Sequence, residues 1–468
     1  MIEELSLDPE DWEGLRQTFH EAVDLCITQI QNIREQPVWQ PTPETIQQTF
    51  QDRLPHEGQP LKTLLSTFKE TILPYGTSNP HPRFWGWVQG SGTMAGALGE
   101  MLAGFMNCNT GGRDQIALYM EQQVLEWCKE IFGFPASASG ILTSGTSMGT
   151  IIALKVARDA KNAPKRVGYT SSEAHNCIMK AFDLLGLEAP QLVPVDEHYR
   201  LQPQQLREMI AADRAAGFLP FAVIASAGTV NTGAIDDLET LASICREEDL
   251  WLHVDAAFGG LAILTPEFNQ PLRAIAQADS VAFDFHKWLH VPYDAGCVLI
   301  KDKDLHRQAF GARREYLAGA KAGMAGGDTW FCDYGPELSR GFRALKIWFT
   351  FKTYGIDQLG KLISQNCSQA HFLSQLVVSN PALELLCQTS LNIVCFRFVK
   401  TGLPENKLDE LNHNIVIELQ TQGIAAPSTT RLGGRLAIRV CITNHRTRQE
   451  DLTLLVKEVV QIGQALCP

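Results

Sequence analysis

At 468 residues, 45% of them hydrophobic and 20% charged, the chain has the make-up of an ordinary globular protein with two or three structural units. Its formal net charge of -12 argues against nucleic acid or an anionic membrane as partner, since either would favour a basic face. No apolar run reaches the roughly 18–20 residues that span a bilayer, and the acidic first residues lack the basic-then-apolar layout of a signal peptide.

Residues 1–78 read as a separable helical arm. Trp12, Leu15, Phe19, Val23, Cys26 and Ile30 recur at three- and four-residue steps and give one apolar face. Pro37, Pro41 and Pro43 then interrupt the chain, and Pro43-Glu44 opens a second helix. Such an arm cannot bury its stripe alone, so it is expected to pack on the main body or on a partner subunit.

Over 79–355 the pattern changes to α/β. Helical stretches at 114–131, 147–160, 174–185, 204–215 and 238–247 alternate with short apolar runs at 167–170, 192–195, 222–226, 250–254, 281–283 and 297–300. This alternation predicts a mostly parallel sheet covered by helices on both faces. Ligands in such sheets bind at the carboxyl ends of strands, where Ser226, Asp255 and Lys287 fall. Residues 313–341 break the rhythm. The glycine- and alanine-rich run 318–327 offers little to pack, which fits a mobile lid and a plain surface loop equally. Helices are expected again at 341–354 and 356–378. The third unit, 356–468, continues as strand, helix, strand, helix over 392–398, 408–422, 436–442 and 450–461, a small α+β domain.

The stretch with the most chemistry in it is Asp284-Phe285-His286-Lys287-Trp288. The apolar run before it reads as a buried strand, and burying an ammonium costs several kcal/mol unless it is paired or neutralised. An imine with an aldehyde removes the charge, and pyridoxal 5'-phosphate (PLP) supplies that aldehyde in the commonest lysine Schiff-base enzymes. Asp255, at another strand end, would suit a pyridinium nitrogen. A surface lysine after a core strand is the plainer reading of Lys287 alone. Leu142-Thr143-Ser144-Gly145-Thr146-Ser147-Met148-Gly149 opens a helix, and its glycines, hydroxyls and first N–H groups suit an anion. It matches neither the Walker loop nor the dinucleotide fingerprint, and a Ser/Thr helix cap explains it as well. His175, beginning a helix after a strand, could lie flat on an aromatic cofactor ring or be structural. His253, His286 and Asp255 lack a metal-ligand spacing. The twelve cysteines are scattered from Cys26 to Cys467 without a CxxC pair, so no metal site is expected and reduced thiols in a cytoplasm are.

Taken together, the pieces resemble a known family. His81-Pro82-Arg83-Phe84, the Gly145 loop, His175, Ala225-Ser226-Ala227-Gly228-Thr229, His253-Val254-Asp255-Ala256-Ala257, His286-Lys287-Trp288 and Gly341-Phe342-Arg343-Ala344-Leu345-Lys346 match, in order and separation, the group II PLP-dependent amino-acid decarboxylases. These are relatives of aromatic-L-amino-acid and glutamate decarboxylases. The resemblance implies the fold-type-I PLP-dependent transferase fold, with a mostly parallel seven-stranded sheet, an N-terminal arm and a small C-terminal domain. It also implies a cytoplasmic homodimer with shared active sites, which converts an L-amino acid to an amine and CO2. Lys287 would hold PLP, Asp255 would pair with the pyridine nitrogen, and Ala257 and His175 would lie on opposite faces of the ring. Ser226 would stand near the ring hydroxyl, and Gly145, Thr146, Ser147 and His286 at the phosphate. Arg439 resembles the arginine that meets the substrate carboxylate, although a satisfied strand arginine would look the same. Trp85, Trp87, Val88 and Gln89 fall where relatives line the pocket, and they favour an aromatic or apolar substrate slightly.

Two departures stand out. Asp284 occupies a place where relatives commonly carry an asparagine near the phosphate, so it is expected to face another partner or to be protonated. Counting back without gaps from Phe342-Arg343 puts the catalytic lid tyrosine at Phe331, which cannot donate a proton. Tyr334, three residues on, is one substitute. Family members with phenylalanine at that place include aldehyde synthases, which makes aldehyde the alternative product. A catalytically silent binding protein of this fold is the reading from another class, and retained Lys287, Asp255 and His175 count against it.

Overall fold

Apolar runs without polar alternation need both faces of a strand covered, and here they form one central sheet. The computed structural model describes residues 5–161, 164–311, 320, 322–327 and 329–467. Its large sheet comprises β1 (Ser139–Thr143), β2 (Arg166–Ser171), β3 (Gln191–Val193), β4 (Leu219–Ser226), β5 (Trp251–Asp255), β6 (Ser280–Asp284) and β7 (Gly296–Ile300). The strands lie in the order β1-β7-β6-β5-β4-β2-β3. Neighbours from β6 through β3 pair parallel, and β7 is antiparallel to both β6 and β1. The seven-stranded, mostly parallel sheet expected from the resemblance is present. Its register sets Ser226 beside Asp255, and Asp255 beside Ala282, so three strands end along one edge.

The helices Ile116–Phe132, Thr146–Ala160, Cys177–Leu184, Pro203–Ala215 and Leu238–Glu247 fall within a few residues of their predicted spans. The helix Met94–Met106 had no counterpart in the sequence reading. It is apolar almost all round and carries three glycines, so no amphipathic stripe marks it. The glycines serve packing. A Cβ on Gly99 would stand 2.8 Å from the Lys346 Cα, so glycine lets this helix lie against Arg343–Tyr354.

The C-terminal unit is a second layer with its own core. Strands β8 (Leu383–Leu385), β9 (Ile393–Phe398), β10 (Ser428–Leu432) and β11 (Arg435–Cys441) form an antiparallel sheet in the order β10-β11-β9-β8. Helices Ile356–Val378, Glu405–Thr421 and Gln449–Leu466 cover it. The two edge strands, β8 and β10, were not anticipated, because one is three residues long and the other reads Ser-Thr-Thr-Arg-Leu. Trp85 packs in this second core, and its backbone bonds Ala426 and Cys441 at 3.0 Å each.

The N-terminal helix Trp12–Gln31 has no buried residue. It is followed by a firm tether: Arg34 pairs with Asp451 at 2.7 Å, and Val38 is buried and bonds Gly423. Of the run 318–327 read as a lid or loop, residues 318, 319 and 321 lie outside the described residues. Among the described residues no helix is long and apolar enough to cross a membrane.

Candidate active site

The carboxyl ends of β4, β5 and β6 open onto a cavity of about 510 Å³. Ser226, Asp255 and Asp284 reach it from those three strands, and Gly145, Thr146 and Ser147 from the start of the helix Thr146–Ala160. His175 arrives from the turn after β2. Trp87, Val88 and Gln89 cross the opening.

Lys287 enters through one helical turn, Phe285–Trp288. Phe285 and Trp288 are wholly buried, and the Trp288 indole N–H donates to Asn366 Oδ1 at 3.0 Å. With those two rings fixed in the core, the residues between them, His286 and Lys287, are left to the cavity. A Cβ on Gly90 would collide with the carbonyl oxygens of His286 and Lys287, so the 87–90 segment can lie across this turn only with glycine there.

The charges are tightly arranged. Lys287 Nζ lies 2.9 Å from Asp284 Oδ2, and Asp284 Oδ1 accepts the Thr146 N–H at 2.7 Å. Burial pulls the Lys287 ammonium down, but the charge and hydrogen bond of Asp284, helped by Asp255, prevail and move it upward. Asp255 is buried and accepts the Ala257 N–H at 3.1 Å. Burial raises its carboxyl more than Lys287, Ala257 and His175 lower it. A carboxylate in that state gains from a cation placed against it. His286 Nδ1 accepts the Ala295 N–H at 3.1 Å, which leaves the proton on Nε2, 3.7 Å from Asp284 Oδ2. Burial holds its imidazole below the ordinary histidine range against the pull of Asp284. His175 likewise accepts the Cys177 N–H at Nδ1 and carries its proton on the other nitrogen.

These residues fit PLP. Thr146 Oγ1 is buried without a hydrogen-bond partner, and the first-turn N–H groups of a helix have none within the helix itself. A phosphate would satisfy both. Lys287 and Asp255 supply an amine and a counter-charge in the same cavity, and its volume is in the range of cofactor sites. Gly145, Thr146, Ser147, His175, Ser226, Asp255, Ala257, His286, Lys287, Trp87 and Gln89 are thus brought together. Among the described residues no cluster of three or more His, Cys, Asp or Glu side chains could hold a metal.

Other expected residues stand elsewhere. Arg439 does not line the cavity. Its guanidinium donates to the carbonyls of Trp87, Val230 and Asn231 and to the Ser428 hydroxyl, behind the wall. The contact matters for Trp87, which is held at a left-handed φ of 52° with its side chain 60% exposed. Trp85 is in the second core, its indole N–H on Thr447. Phe331 and Tyr334 are buried and line a different cavity with Tyr119, Gln122 and Lys303. Arg340 lies over the Phe331 ring, and the Tyr334 carbonyl accepts from His306 at 2.7 Å. Sequence reasoning missed Tyr293, Phe258, Val230 and Cys177, all in the cavity wall. Tyr293 packs its ring 4.3 Å from that of His286 and donates its hydroxyl to Gln89. Its one sequence signal was the Pro292 turn that brings the chain back to Lys287.

Comparisons with known proteins agree with this geometry. A family model described as the pyridoxal-dependent decarboxylase conserved domain matches residues 43–399. The aromatic-L-amino-acid decarboxylase of Bacillus atrophaeus is 33% identical over 477 residues, which cover 99% of this chain and 98% of that protein. The crystal structure of Oryza sativa TDC with PLP and tryptamine has the same fold, with a TM-score of 0.92 over 99% of this chain and 100% of that one, at 24% identity. Rhodiola rosea 4-hydroxyphenylacetaldehyde synthase follows at 0.89 and 25% identity, with 98% and 100% covered.

Proposed function

The chain belongs to the pyridoxal-dependent decarboxylase family, and from that premise we propose that it removes the α-carboxylate of an aromatic L-amino acid to leave the amine and CO2. It is a PLP-dependent carboxy-lyase. The observation that carries the finer reading is the lining of the cavity shared by Lys287 and Asp255: it includes the apolar side chains Trp87, Val88, Val230 and Phe258, which suit an aromatic side chain better than a second carboxylate. The names of the relatives point the same way.

PLP, when bound, supplies the electron sink for the pair left behind as CO2 departs. The chain supplies position and charge. Lys287 is the residue for the cofactor aldehyde. Asp255 holds a proton at the ring nitrogen, and burial of that pair in a site shielded from water strengthens it. Ala257 and His175, both in the cavity lining, would hold the ring. Thr146, Ser147 and the helix N-terminus take the phosphate, with Nε2–H of His286 directed to the same end. Trp87 and Gln89, which line the cavity, would orient the substrate for loss of its carboxylate. For Arg439 we propose a supporting role, since its donors already hold Trp87 and Val230. The working unit is proposed to be a cytoplasmic homodimer with shared active sites.

A second reading, an aldehyde synthase, is favoured by one observation: Phe331, which has no hydroxyl, and Tyr334 both line another cavity, so neither brings a phenol to Lys287. Aldehyde synthases also stand among the relatives. Incubating the enzyme with each of the twenty common amino acids, and measuring CO2, amine, aldehyde and hydrogen peroxide, tests both. Amine and CO2 in equal amounts from tryptophan, tyrosine or phenylalanine are expected. Peroxide released in step with CO2 would replace the amine reading by the aldehyde one, and turnover confined to acidic amino acids would remove the aromatic assignment.

A further inference from the structure

Asp284 ends β6 three residues before Lys287, at the place where the resembling decarboxylases commonly have asparagine. Its side chain is only 3% exposed, and both oxygens are engaged. One accepts the Thr146 N–H at 2.7 Å. The other lies 2.9 Å from Lys287 Nζ and 3.7 Å from His286 Nε2. An asparagine could accept the same Thr146 N–H through its amide oxygen. What aspartate adds is a charge, and that charge has a cost, because the same helix N-terminus is the natural seat of a phosphate dianion. A carboxylate kept there needs a cation. Lys287 is within contact distance.

We infer that Asp284 is a positioning residue for Lys287: whenever the ε-amine is not bonded to the cofactor, the carboxylate holds it as an ammonium against the N-terminus of the helix Thr146–Ala160. The clamp is rigid because each part is anchored. The carboxylate is pinned at Thr146, and the lysine stem leaves a turn locked by Phe285 and Trp288. It keeps the free amine beside the phosphate end of the cavity and in the protonated, unreactive form. The groups that face Lys287 from the packed elements are Asp255 of β5, Tyr293 from the returning turn, Cys177 at the start of its helix, and His286 alongside. Asp255 is the second anion, so loss of Asp284 should shift the behaviour of the lysine rather than abolish its charge.

The inference rests on the family's cofactor assignment, but its test does not use turnover. The full-length protein, freed of cofactor, is acetylated with trace acetic anhydride over a series of pH values, and labelling of the Lys287 peptide is compared with that of exposed lysines. The midpoint for Lys287 in the wild type is expected above the ordinary value of about 10.4. In Asp284→Asn it should fall by about one unit or more. The same substitution should tighten binding of inorganic phosphate roughly tenfold, as the like charge leaves the helix end. In the holoenzyme Lys287 should be protected from acetylation, which locates the cofactor bond independently. A wild-type midpoint at or below the ordinary value, which needs no variant to measure, would overturn the inference. So would identical midpoints in the wild type and Asp284→Asn. Either failure would leave the decarboxylase reading untouched.

Discussion

At the scale of single residues, burial decides what Asp255 can do. Its carboxyl is pushed up by burial, so in the absence of a cation it gains little from ionising. A pyridinium nitrogen would reverse that and be held protonated in return. Asp255→Asn should therefore leave Lys287 joined to the cofactor, as read by borohydride reduction and peptide mapping, while removing roughly 2–4 kcal/mol of stabilisation in the reaction. That corresponds to a fall of about 30- to 1,000-fold in turnover. A near-normal rate would mean that another group serves the ring. The proton that completes an amine product is a separate question. Phe331 and Tyr334 are core residues of a second cavity, so Phe331→Tyr and Tyr334→Phe should each leave the amine-to-aldehyde ratio unchanged. Among the described residues, Tyr293 is the phenol in the cavity wall beside Lys287. Removing the hydroxyl that delivers the proton should move product toward aldehyde and peroxide. A shifted ratio in Tyr334→Phe would return that role to Tyr334. Lys287, Asp255 and Ser226 were legible because parallel strands deliver their last residues to one edge. Tyr293, Phe258 and Val230 were not, since they arrive on turns whose course no periodicity records.

At the scale of elements, the sequence was readable wherever apolar spacing matched a buried face. It was silent where packing replaced pattern. Met94–Met106 is the clearest case, a helix specified by close approach at Gly99 rather than by a stripe. The end of β4 shows a related device. Asp236, wholly enclosed, accepts the N–H groups of Ser226 and Leu201 at 2.7 and 2.8 Å and thereby ties the strand that carries Ser226 to the segment entering the helix Pro203–Ala215. Burial raises its carboxyl to about 6, against the two N–H bonds that lower it. An unfolded aspartate titrates near ~3.9. Between those values the folded chain keeps a proton that the unfolded chain has lost, so this group's stabilising contribution is present at low pH and is lost as pH rises from ~4 to ~6. Two units correspond to roughly 3 kcal/mol. Asp236→Asn cannot ionise, so the difference in denaturant midpoint between wild type and variant should change across that window and be flat outside it. A difference that does not vary with pH would show that Asp236 is not the group responsible.

At the scale of the whole molecule, the chain interlocks across the bounds read from the sequence. Trp85, from the start of the large unit, is built into the C-terminal core, a connection that runs through tertiary hydrogen bonds and leaves no local signal. The N-terminal stripe was legible from its spacing, and the structure leaves it open: Trp12 is 60% exposed, with Phe19, Val23 and Ile27 along the same helix. Phe19 meets the ring of Phe105, itself 67% exposed, and Leu98 and Met101 extend the apolar surface onto the helix Met94–Met106. A contiguous surface of this kind, on two helices that share a face, asks for a cover. Each such side chain is worth ~1.5–3 kcal/mol when fully buried. A second copy presenting the same surface would supply several at once through a two-fold interface. Sedimentation at micromolar concentration should therefore give about twice the 51.8 kDa chain mass. Phe19→Glu and Phe105→Glu together should shift the population to monomer and lower activity with it, while leaving the chain folded by circular dichroism. A wild type that sediments as an active monomer would end the proposal of a shared site.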